Sequence, residues 1–389
     1  MKTVIVWLKK EPPPIYETIF SYSFCIKKSE ELTNCPIVLV PENFTVQKLT
    51  TLLRTDFPGA RFLVVVTWPE TILSASAIKL FETHLKPGLL IGPVFNESLY
   101  PQQTVALPYP YLDTKTFSEV ATLLISSNRE IETLVLDPAC FAVEIETLKV
   151  LPPNFSVNQI PSYSDLPKRI LSGALVHKFT EYYNAKREDL VKLVPPETKY
   201  VLDVGCARGG FGRTLKKVFP TITVDGVEIN SELARTAQVS YRKVWIGKFE
   251  EVNLPSNFYD VVIMGDVLEH LYDPWKALKK VFSVLKPKGW LIVSIPNTSQ
   301  WTVVRQLLEG EFEYIPLGLL CVSHIRFFTL KSLSKILNEC GFFLESIERQ
   351  KPPPTPSGLL LIEALLKTGL GSREELLTAT ILIGARKRK

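Results

Sequence analysis

Short apolar runs alternate with amphipathic segments along the first part of the chain. Three runs rich in β-branched residues read TVIVWL, CPIVLV and RFLVVVTW. The segments between them, YETIFSYSFCIKKSEEL and TVQKLTTLLRTDF, carry apolar residues at helical spacing. Strands that alternate with helices predict an α/β unit built on a mainly parallel sheet.

A second α/β alternation begins near residue 199. Between the two alternations, residues 156–168 are rich in proline, serine and asparagine, which is typical of a linker. A helical pattern from Arg169 to Leu193 is expected to open the second unit. We therefore predict domains at residues 1–155 and 169–389. Strands of the second domain are predicted at residues 199–205, 222–228, 243–247, 259–264, 289–295, 342–349 and 378–386.

Composition is compatible with two globular domains. The chain has 389 residues, of which 46% are hydrophobic and 22% are charged. No run reaches the roughly 18 apolar residues of a membrane span, and no cysteine pair has C-x-x-C spacing. We expect a cytoplasmic protein with reduced thiols and no nucleic-acid partner. The net charge of +5 and the terminal ARKRK could hold it at the periphery of an anionic membrane.

The segment KYVLDVGCARGGFGRTLKK, residues 199–217, predicts a strand, a loop of small residues and a helix. This arrangement presents backbone N–H groups to a ligand. The dinucleotide fingerprint G-x-G-x-x-G would align Gly205, Ala207 and Gly210, with alanine where the backbone must approach a pyrophosphate. A nucleoside without phosphates, such as S-adenosylmethionine (SAM), tolerates that methyl group. Glu228, at the end of the next strand, could accept hydrogen bonds from ribose hydroxyls of either ligand.

The later segment FYDVVIMGDVLEHLYDPWKALKKVFSVLKPKGWLIVSIPN, with VLDVGC before it, resembles class I SAM-dependent methyltransferases. VSHIRFFTLKSLSKILNECGF resembles the branch of quinone and sugar O-methyltransferases, particularly members associated with bacterial surface-polysaccharide synthesis. The resemblance covers about residues 170–389 and implies a Rossmann-like, seven-stranded α/β domain with SAM as cofactor. It implies cofactor contacts from Asp203, Gly205, Cys206, Ala207, Gly209, Glu228, Ile229, Phe249, Glu250, Asp266 and Val267.

Two positions depart from the family pattern. The family loop usually reads G-C-G-x-G, whereas residues 205–209 read GCARG. Arg208 could pair with the methionine carboxylate or point to solvent. Where the family has an aspartate that accepts from the adenine amino group, this chain has Lys248, which has no acceptor. Adenine would then be held by backbone groups, by Glu250 or by packing against Phe249.

Methyl transfer from a sulfonium mainly needs alignment of the nucleophile and exclusion of water. A hydroxyl acceptor must also lose a proton, so a catalytic base is expected. His270 and His324 are the candidates, with Asp266 as a nearby carboxylate. Glu269 and Arg326 are expected on the substrate side, where Arg326 could anchor a phosphate or uronate. No metal site is expected.

The segment FTEYYNAKREDLVKLV commonly covers the SAM pocket in this family. Tyr183 and Arg187 are four residues apart in it and could face the methionine end of the cofactor. Amphipathic packing is the alternative interpretation.

Residues 1 to about 150 resemble a shortened GT-A-type family 2 glycosyltransferase in RFLVVVTWPETIL, KLFETHLKPGLLIGPVF and DPACFAVEIETLKVLP. That family places a metal-binding Asp-x-Asp after the strand that corresponds to FLVVV. This chain has Thr67-Trp68-Pro69-Glu70 there, with one carboxylate. We expect a degenerate domain that binds a saccharide or a partner enzyme; a working glycosyltransferase is the alternative.

These observations predict a SAM-dependent O-methyltransferase whose acceptor is a sugar hydroxyl of a surface-polysaccharide intermediate. A small-molecule methyltransferase acting on a quinone-like or polyketide phenol is one rival hypothesis. A non-catalytic protein that binds SAM or a saccharide is another. Release of S-adenosylhomocysteine would separate the enzymes from the binding protein.

Overall fold

The computed structural model describes residues 2–11, 16–179 and 182–388. The chain divides into two compact units. The first unit comprises Met1–Thr180 and Ile315–Leu317, and the second comprises Glu181–Tyr314 and Gly318–Lys389.

The first unit alternates strands and helices in the order that the apolar pattern predicts. Its elements are β1 (Thr3–Lys9), α1 (Tyr16–Thr33), β2 (Ile37–Pro41), α2 (Val46–Asp56), β3 (Phe62–Val66), β4 (Thr71–Leu73), α3 (Ala75–His84), β5 (Leu90–Phe95), α4 (Thr114–Ile125), β6 (Glu130–Thr133), β7 (Cys140–Glu144) and β8 (Lys168–Lys178).

The sheet of the first unit has the order β2-β1-β3-β7-β5-β8-β4, and β6 pairs with β8. Strand β1 runs parallel to β2 and β3, and β5 runs parallel to β8. Strand β7 is antiparallel to both β3 and β5, while β4 and β6 are antiparallel to β8. The sheet is therefore mixed, and the predicted mainly parallel sheet is wrong. Apolar runs locate strands, but strand direction depends on which connections pack against the sheet.

The boundary between the units lies later than predicted. Residues 169–178, expected in a helix, belong to β8. The predicted linker also packs within the first unit, since Val157 and Ile160 are fully buried there. Apolar residues of β8 face the core on both sides of the sheet, and such a continuous run cannot be told from a buried helix by periodicity. Position 173 must be glycine, because a Cβ there would come 2.8 Å from the carbonyl oxygen of Leu124.

The second unit contains the predicted strands within a few residues of their predicted bounds. Its elements are α5 (Glu188–Val191), β9 (Tyr200–Val204), α6 (Gly210–Val218), β10 (Thr223–Glu228), α7 (Ser231–Ala237), β11 (Lys243–Ile246), β12 (Tyr259–Gly265), α8 (Pro274–Val284), β13 (Leu285–Pro296), α9 (Trp301–Leu308), α10 (Leu330–Glu339), β14 (Phe342–Gln350), α11 (Pro356–Lys367), α12 (Arg373–Leu377) and β15 (Thr380–Lys387). Within the described ranges, every helix is too short or too polar to cross a bilayer.

Seven strands form the sheet of the second unit, in the order β11-β10-β9-β12-β13-β15-β14. Strands β11, β10, β9, β12 and β13 run parallel to one another, and β15 is antiparallel to both of its neighbours. This confirms the predicted seven-stranded α/β sheet. The chain order reverses at β9, which lies between β10 and β12, so the carboxyl ends of these strands meet at one edge. Ligands of open α/β sheets bind at such a reversal.

Candidate active site

A cleft opens at the carboxyl edge of β9 and β12. It holds about 500 Å³ of empty space, part of which is open to solvent. The cleft is lined by Tyr183, Ala185, Arg187, Leu190, Asp203, Gly205, Cys206, Ala207, Gly210, Phe211, Ile263 and Gly265. Four predicted cofactor residues, at positions 203, 205, 206 and 207, therefore share one wall with both predicted residues of the preceding segment.

The loop after β9 turns through left-handed backbone conformations. Gly205 has φ 74°, Ala207 has φ 45° and Gly209 has φ 79°. Gly205 is needed for a second reason, because a Cβ there would come 2.8 Å from Cγ2 of Val267. The predicted residues Gly205 and Val267 are thus in contact. Gly209 does not line the cleft, but it is the residue from which α6 begins.

The backbone donors of this loop are used within the protein. The N–H groups of Gly205 and Cys206 donate to the carbonyl oxygen of Val227, at 2.8 and 3.2 Å. The N–H of Arg208 donates to the carbonyl oxygen of Tyr183 at 3.0 Å. Pyrophosphate sites need such donors directed at the ligand. The loop therefore fits a nucleoside ligand without phosphates better than a dinucleotide.

Glu228 lies at the end of β10 with 7% of its surface exposed. Its Oε2 accepts from the N–H of Ala207 at 2.9 Å, and its Oε1 accepts from the N–H of Asn230 at 2.8 Å. These two bonds orient the carboxylate, and a carboxylate oxygen can accept more than one hydrogen bond. The geometry is compatible with the predicted ribose contacts. Its neighbour Ile229 is 65% exposed.

Asp203 is buried at the end of β9. The hydroxyl of Tyr241 donates to its Oδ2 at 2.5 Å, and the Tyr241 oxygen accepts from the N–H of Gly212 at 3.0 Å. Burial raises the pKa of Asp203 to about 7, with a smaller contribution from the charge of Glu228 in the same direction. Sequence reasoning missed Tyr241. Gly212 was the signal in the sequence that a neighbouring group packs against α6, because a Cβ there would come 2.4 Å from Cζ of the Tyr241 ring.

Arg187 and Asp266 form an ion pair beside the cleft. Nη1 of Arg187 donates to Oδ2 of Asp266 at 2.6 Å, and Nη2 donates to Oγ of Ser294 at 2.8 Å. Asp189 accepts two further bonds from the same guanidinium, each at 3.1 Å. The Ser294 hydroxyl donates to Oδ1 of Asp266 at 2.8 Å. Both oxygens of Asp266 are thus engaged, which favours a role in orienting Arg187 over the predicted role as a catalytic carboxylate.

Three of the predicted catalytic and substrate residues converge on one cluster. Glu269 and His270 lie in the 3-10 turn Leu268–His270, directly after β12. His324 is held against this turn because the backbone oxygen of Glu269 accepts from the N–H groups of Ile325 and Arg326, at 2.9 and 3.0 Å. The two imidazole rings are 4.8 Å apart between centroids. Burial raises the pKa of Glu269 well above its usual range.

The predicted adenine contacts lie around the end of β11. Phe249 is 4% exposed and packs in the core of the second unit, with Nζ of Lys280 at 5.4 Å from the ring centroid. Glu250 is half-buried. The exposed Lys248 ammonium is 3.6 Å from Glu251, so it pairs at the surface. Contact of Phe249 and Glu250 with adenine stays a prediction.

Arg326 is exposed, and its guanidinium donates to the backbone oxygen of Tyr272 at 2.5 Å. Its role as an anchor for an anionic acceptor stays a prediction.

Residues 176–347 match a family model described as "Methyltransferase domain". Among curated proteins, the chain is 27% identical to a malonyl-[acyl-carrier protein] O-methyltransferase from Halalkalibacterium halodurans, over 31% of this chain and 46% of that protein. It is also 27% identical to a ubiquinone biosynthesis O-methyltransferase from Albidiferax ferrireducens, over 31% of this chain and 50% of that protein. The chain thus spans about half the length of these curated relatives.

Among solved structures, a SAM dependent methyltransferase from Archaeoglobus fulgidus is 22% identical, with a TM-score of 0.36, over 49% of this chain and 87% of that one. The family match covers the cofactor loop, the cleft and the cluster formed by Glu269, His270 and His324. Residues 176–347 therefore form a SAM-dependent methyltransferase domain, and S-adenosylmethionine is its cofactor.

Proposed function

We propose that this chain transfers the methyl group of SAM to a hydroxyl oxygen of its acceptor. The cluster of Glu269, His270 and His324 carries the proposal, because its turn follows β12 directly and β12 also lines the cofactor cleft. An alcohol holds its proton at neutral pH, so its oxygen needs help to become a nucleophile. Imidazole and carboxylate groups are the side chains that give such help.

The cofactor fits the residues that line the cleft. When bound, it supplies a methyl group activated on a sulfonium. Gly205 leaves room for Val267 in the turn beside the cleft, and Glu228 presents an oriented carboxylate to the ribose. Arg187 and Tyr183 form the wall where the methionine end is proposed to lie. Glu269 and His270, which follow Asp266 in the chain, help the acceptor hydroxyl to lose its proton.

A sugar hydroxyl is the acceptor that we propose. The exposed Arg326 guanidinium, two residues after His324, favours an acceptor that carries a phosphate or uronate. The likeness of VSHIRFF to polysaccharide-associated methyltransferases supports the same class. We propose that the first unit, as a degenerate GT-A-like domain, binds the saccharide or a partner enzyme.

A phenolic acceptor is the second candidate. Two relatives are named O-methyltransferases, one of them of ubiquinone biosynthesis. Phe312 lies 5.4 Å from Tyr314 and 5.5 Å from Phe327 between ring centroids. These rings are 37%, 43% and 40% exposed, in the order Phe312, Tyr314, Phe327. These three exposed rings are close in sequence to His324, and they could pack against the flat ring of a phenol.

Turnover assays test the proposal. The purified chain is incubated with SAM and either anionic sugars or catechol-like phenols, and S-adenosylhomocysteine is measured. We expect acceptor-dependent product. His270→Ala or His324→Ala should lower kcat by about 10²–10⁴-fold with little change in SAM affinity, whereas His84→Ala should be silent.

Other outcomes change the conclusion. SAM binding without turnover on any acceptor contradicts the proposal and favours a non-catalytic SAM-binding protein. Full turnover in both active-site histidine variants shows that a carboxylate is the base or that the acceptor is already ionised, and the phenol then becomes the favoured acceptor over the sugar.

A further inference from the structure

The cluster of Glu269, His270 and His324 has the composition of a metal site. One candidate ligand atom from each residue lies within 4.8 Å of the other two. Zinc bonded at about 2.0–2.2 Å holds its ligand atoms roughly 3.4 Å apart. Binding would therefore require the three side chains to close in by about 1 Å, which is within the reach of side-chain rotation.

The environment of the Glu269 carboxyl group indicates that a cation binds there. The residue is 0% exposed, and neither Oε1 nor Oε2 has a hydrogen-bond partner among the described residues. Buried polar groups in proteins are normally satisfied, and an exception calls for an explanation such as an ion. A buried carboxylate is stable when it is paired or coordinates a metal.

Both histidines are held as metal-binding histidines usually are. Nδ1 of His270 lies 3.2 Å from the backbone oxygen of Ser323, and Nδ1 of His324 lies 3.1 Å from that of Leu319. A carbonyl oxygen only accepts, so each Nδ1 carries the proton and Nε2 is the nitrogen able to coordinate. Ligating histidines typically donate their second N–H to such a partner, which fixes the tautomer and the ring orientation.

We propose that Glu269, His270 and His324 bind one divalent transition-metal ion, with Zn²⁺ the best match. Two imidazoles and a carboxylate are a ligand set that Zn²⁺ accepts and that Mg²⁺ disfavours. Three protein ligands leave one position open, as in catalytic zinc sites.

The role of the ion rests on the proposed function. The acceptor hydroxyl binds at the open position, where the cation lowers its pKa, and its proton passes to water. The new C–O bond then forms from an oxygen lone pair as the C–S bond of the sulfonium breaks, and sulfur keeps the bonding pair. In this arrangement the two histidines hold the ion and are not themselves the base.

Metal titration tests the site without reference to turnover. The full chain is stripped with EDTA, freed of the chelator and titrated with ZnCl₂, CoCl₂ or MgCl₂ by calorimetry. We expect about one Zn²⁺ per chain, much weaker Mg²⁺ binding, and a visible absorption band with Co²⁺.

Three variants locate the ion. Glu269→Gln and His324→Ala should each weaken Zn²⁺ binding by at least about 100-fold, more than the ~10–100-fold typical of losing a partner behind a ligand. The Co²⁺ band should be lost with them. His84→Ala, at a histidine of the first unit, should bind as the unaltered chain does. Glu269→Gln removes a buried carboxyl group that has no hydrogen-bond partner among the described residues, so the metal-free variant should unfold at an unchanged or higher temperature, which excludes misfolding as the cause.

The results separate this site from the proposed function. Zinc binding in a chain that never forms S-adenosylhomocysteine supports the site and overturns only methyl transfer to a hydroxyl. Turnover that survives complete chelation overturns the proposed role of the ion and leaves the proposed function standing. Unaltered Zn²⁺ affinity in both Glu269→Gln and His324→Ala also overturns the site.

Discussion

At the residue scale, the cofactor cleft is shaped by two carboxyl groups in different electrostatic settings. Glu228 has two backbone N–H donors aimed at its oxygens. Asp203 has one phenolic donor and is almost completely buried, and the pKa of its carboxyl is raised to about 7. The end of β10 thus provides an oriented hydrogen-bond acceptor, Glu228, and the end of β9 provides a carboxyl group that titrates near neutral pH, Asp203.

The first prediction concerns Asp203 and pH. An unfolded aspartate has a pKa of about 3.9, so the folded protein binds this proton more tightly than the unfolded chain does. The contribution of Asp203 to the free energy of unfolding is therefore fully present below about pH 4 and is lost as pH rises through about 7. Asp203→Asn removes the titratable carboxyl group and keeps a side-chain oxygen that accepts from the Tyr241 hydroxyl. Urea unfolding between pH 5 and 7 should show the wild type losing more stability than the variant, by up to about 1.4 kcal/mol per pH unit.

The exposed acid Glu232 supplies the control, because Glu232→Gln should follow the wild-type pH dependence. Equal slopes for wild type and Asp203→Asn would show that the Asp203 carboxyl keeps an ordinary pKa.

The second prediction concerns Glu228. Replacement by alanine removes the carboxylate proposed to accept from ribose, and it also releases the N–H of Ala207. Calorimetric titration should show SAM binding weakened by about 1.5–3 kcal/mol, as for hydrogen bonds to a charged group. Glu232→Ala, in the first turn of α7, should leave the affinity unchanged. NAD binding by the unaltered chain, or unchanged SAM affinity in Glu228→Ala, would contradict the assigned role.

At the element scale, helix α6 is positioned by glycines that admit a neighbouring ring. Tyr241 passes so close to Gly212 that its hydroxyl reaches both the N–H of that residue and the carboxyl of Asp203. The ring is 6% exposed, so it has little room to retreat. The contact therefore couples the first turns of α6 to the end of β9.

The third prediction tests this coupling. Gly212→Ala places a Cβ 2.4 Å from Cζ of Tyr241, so the ring must shift and its hydrogen bond to Asp203 is strained. We expect a loss of about 1–3 kcal/mol in unfolding free energy, which outweighs the ~1 kcal/mol that alanine gains over glycine inside a helix. Chemical denaturation measures the loss. Lys217→Ala, exposed on the same helix, should stay within about 0.5 kcal/mol of wild type. A Gly212→Ala variant as stable as the control would show that the ring moves freely.

At the scale of the whole molecule, the chain joins a methyltransferase domain to a first unit with a mixed sheet of its own. The first acid after β3 along the chain is Glu70, which is half-buried. Burial raises the pKa of its carboxyl. One desolvated carboxylate is a poor substitute for the acidic pair that holds a divalent ion against a pyrophosphate.

The fourth prediction follows for the first unit. The full chain should release no UDP or GDP from sugar nucleotides in the presence of Mg²⁺ or Mn²⁺, as measured by a coupled nucleotide assay. Glu70→Ala should leave that baseline and SAM binding unchanged. Metal-dependent release that Glu70→Ala abolishes would establish a working glycosyltransferase.

Much of the second unit could be predicted from the amino-acid sequence. Its strands, its glycine-rich loop and the acid at the end of β10 follow from local periodicity and from motifs in a set order, and these are properties of neighbouring residues. The histidines at positions 270 and 324 were also selected from sequence, as alternative candidates for a catalytic base.

The contacts between residues far apart in the chain could not be predicted from the sequence and depend on the fold. Strand order brings Tyr241 to Asp203 and Arg187 to Asp266, and no spacing along the chain encodes either pair. Residues 169–178 belong to the first sheet because they pair with β4, β5 and β6. The pattern of apolar residues does not predict which strands pair. The burial of Glu269 beside two imidazoles arises in the same way, because the 323–326 segment folds back onto the turn after β12. Contacts of this kind depend on how the sheet and its connections pack, so they become visible only in the folded chain.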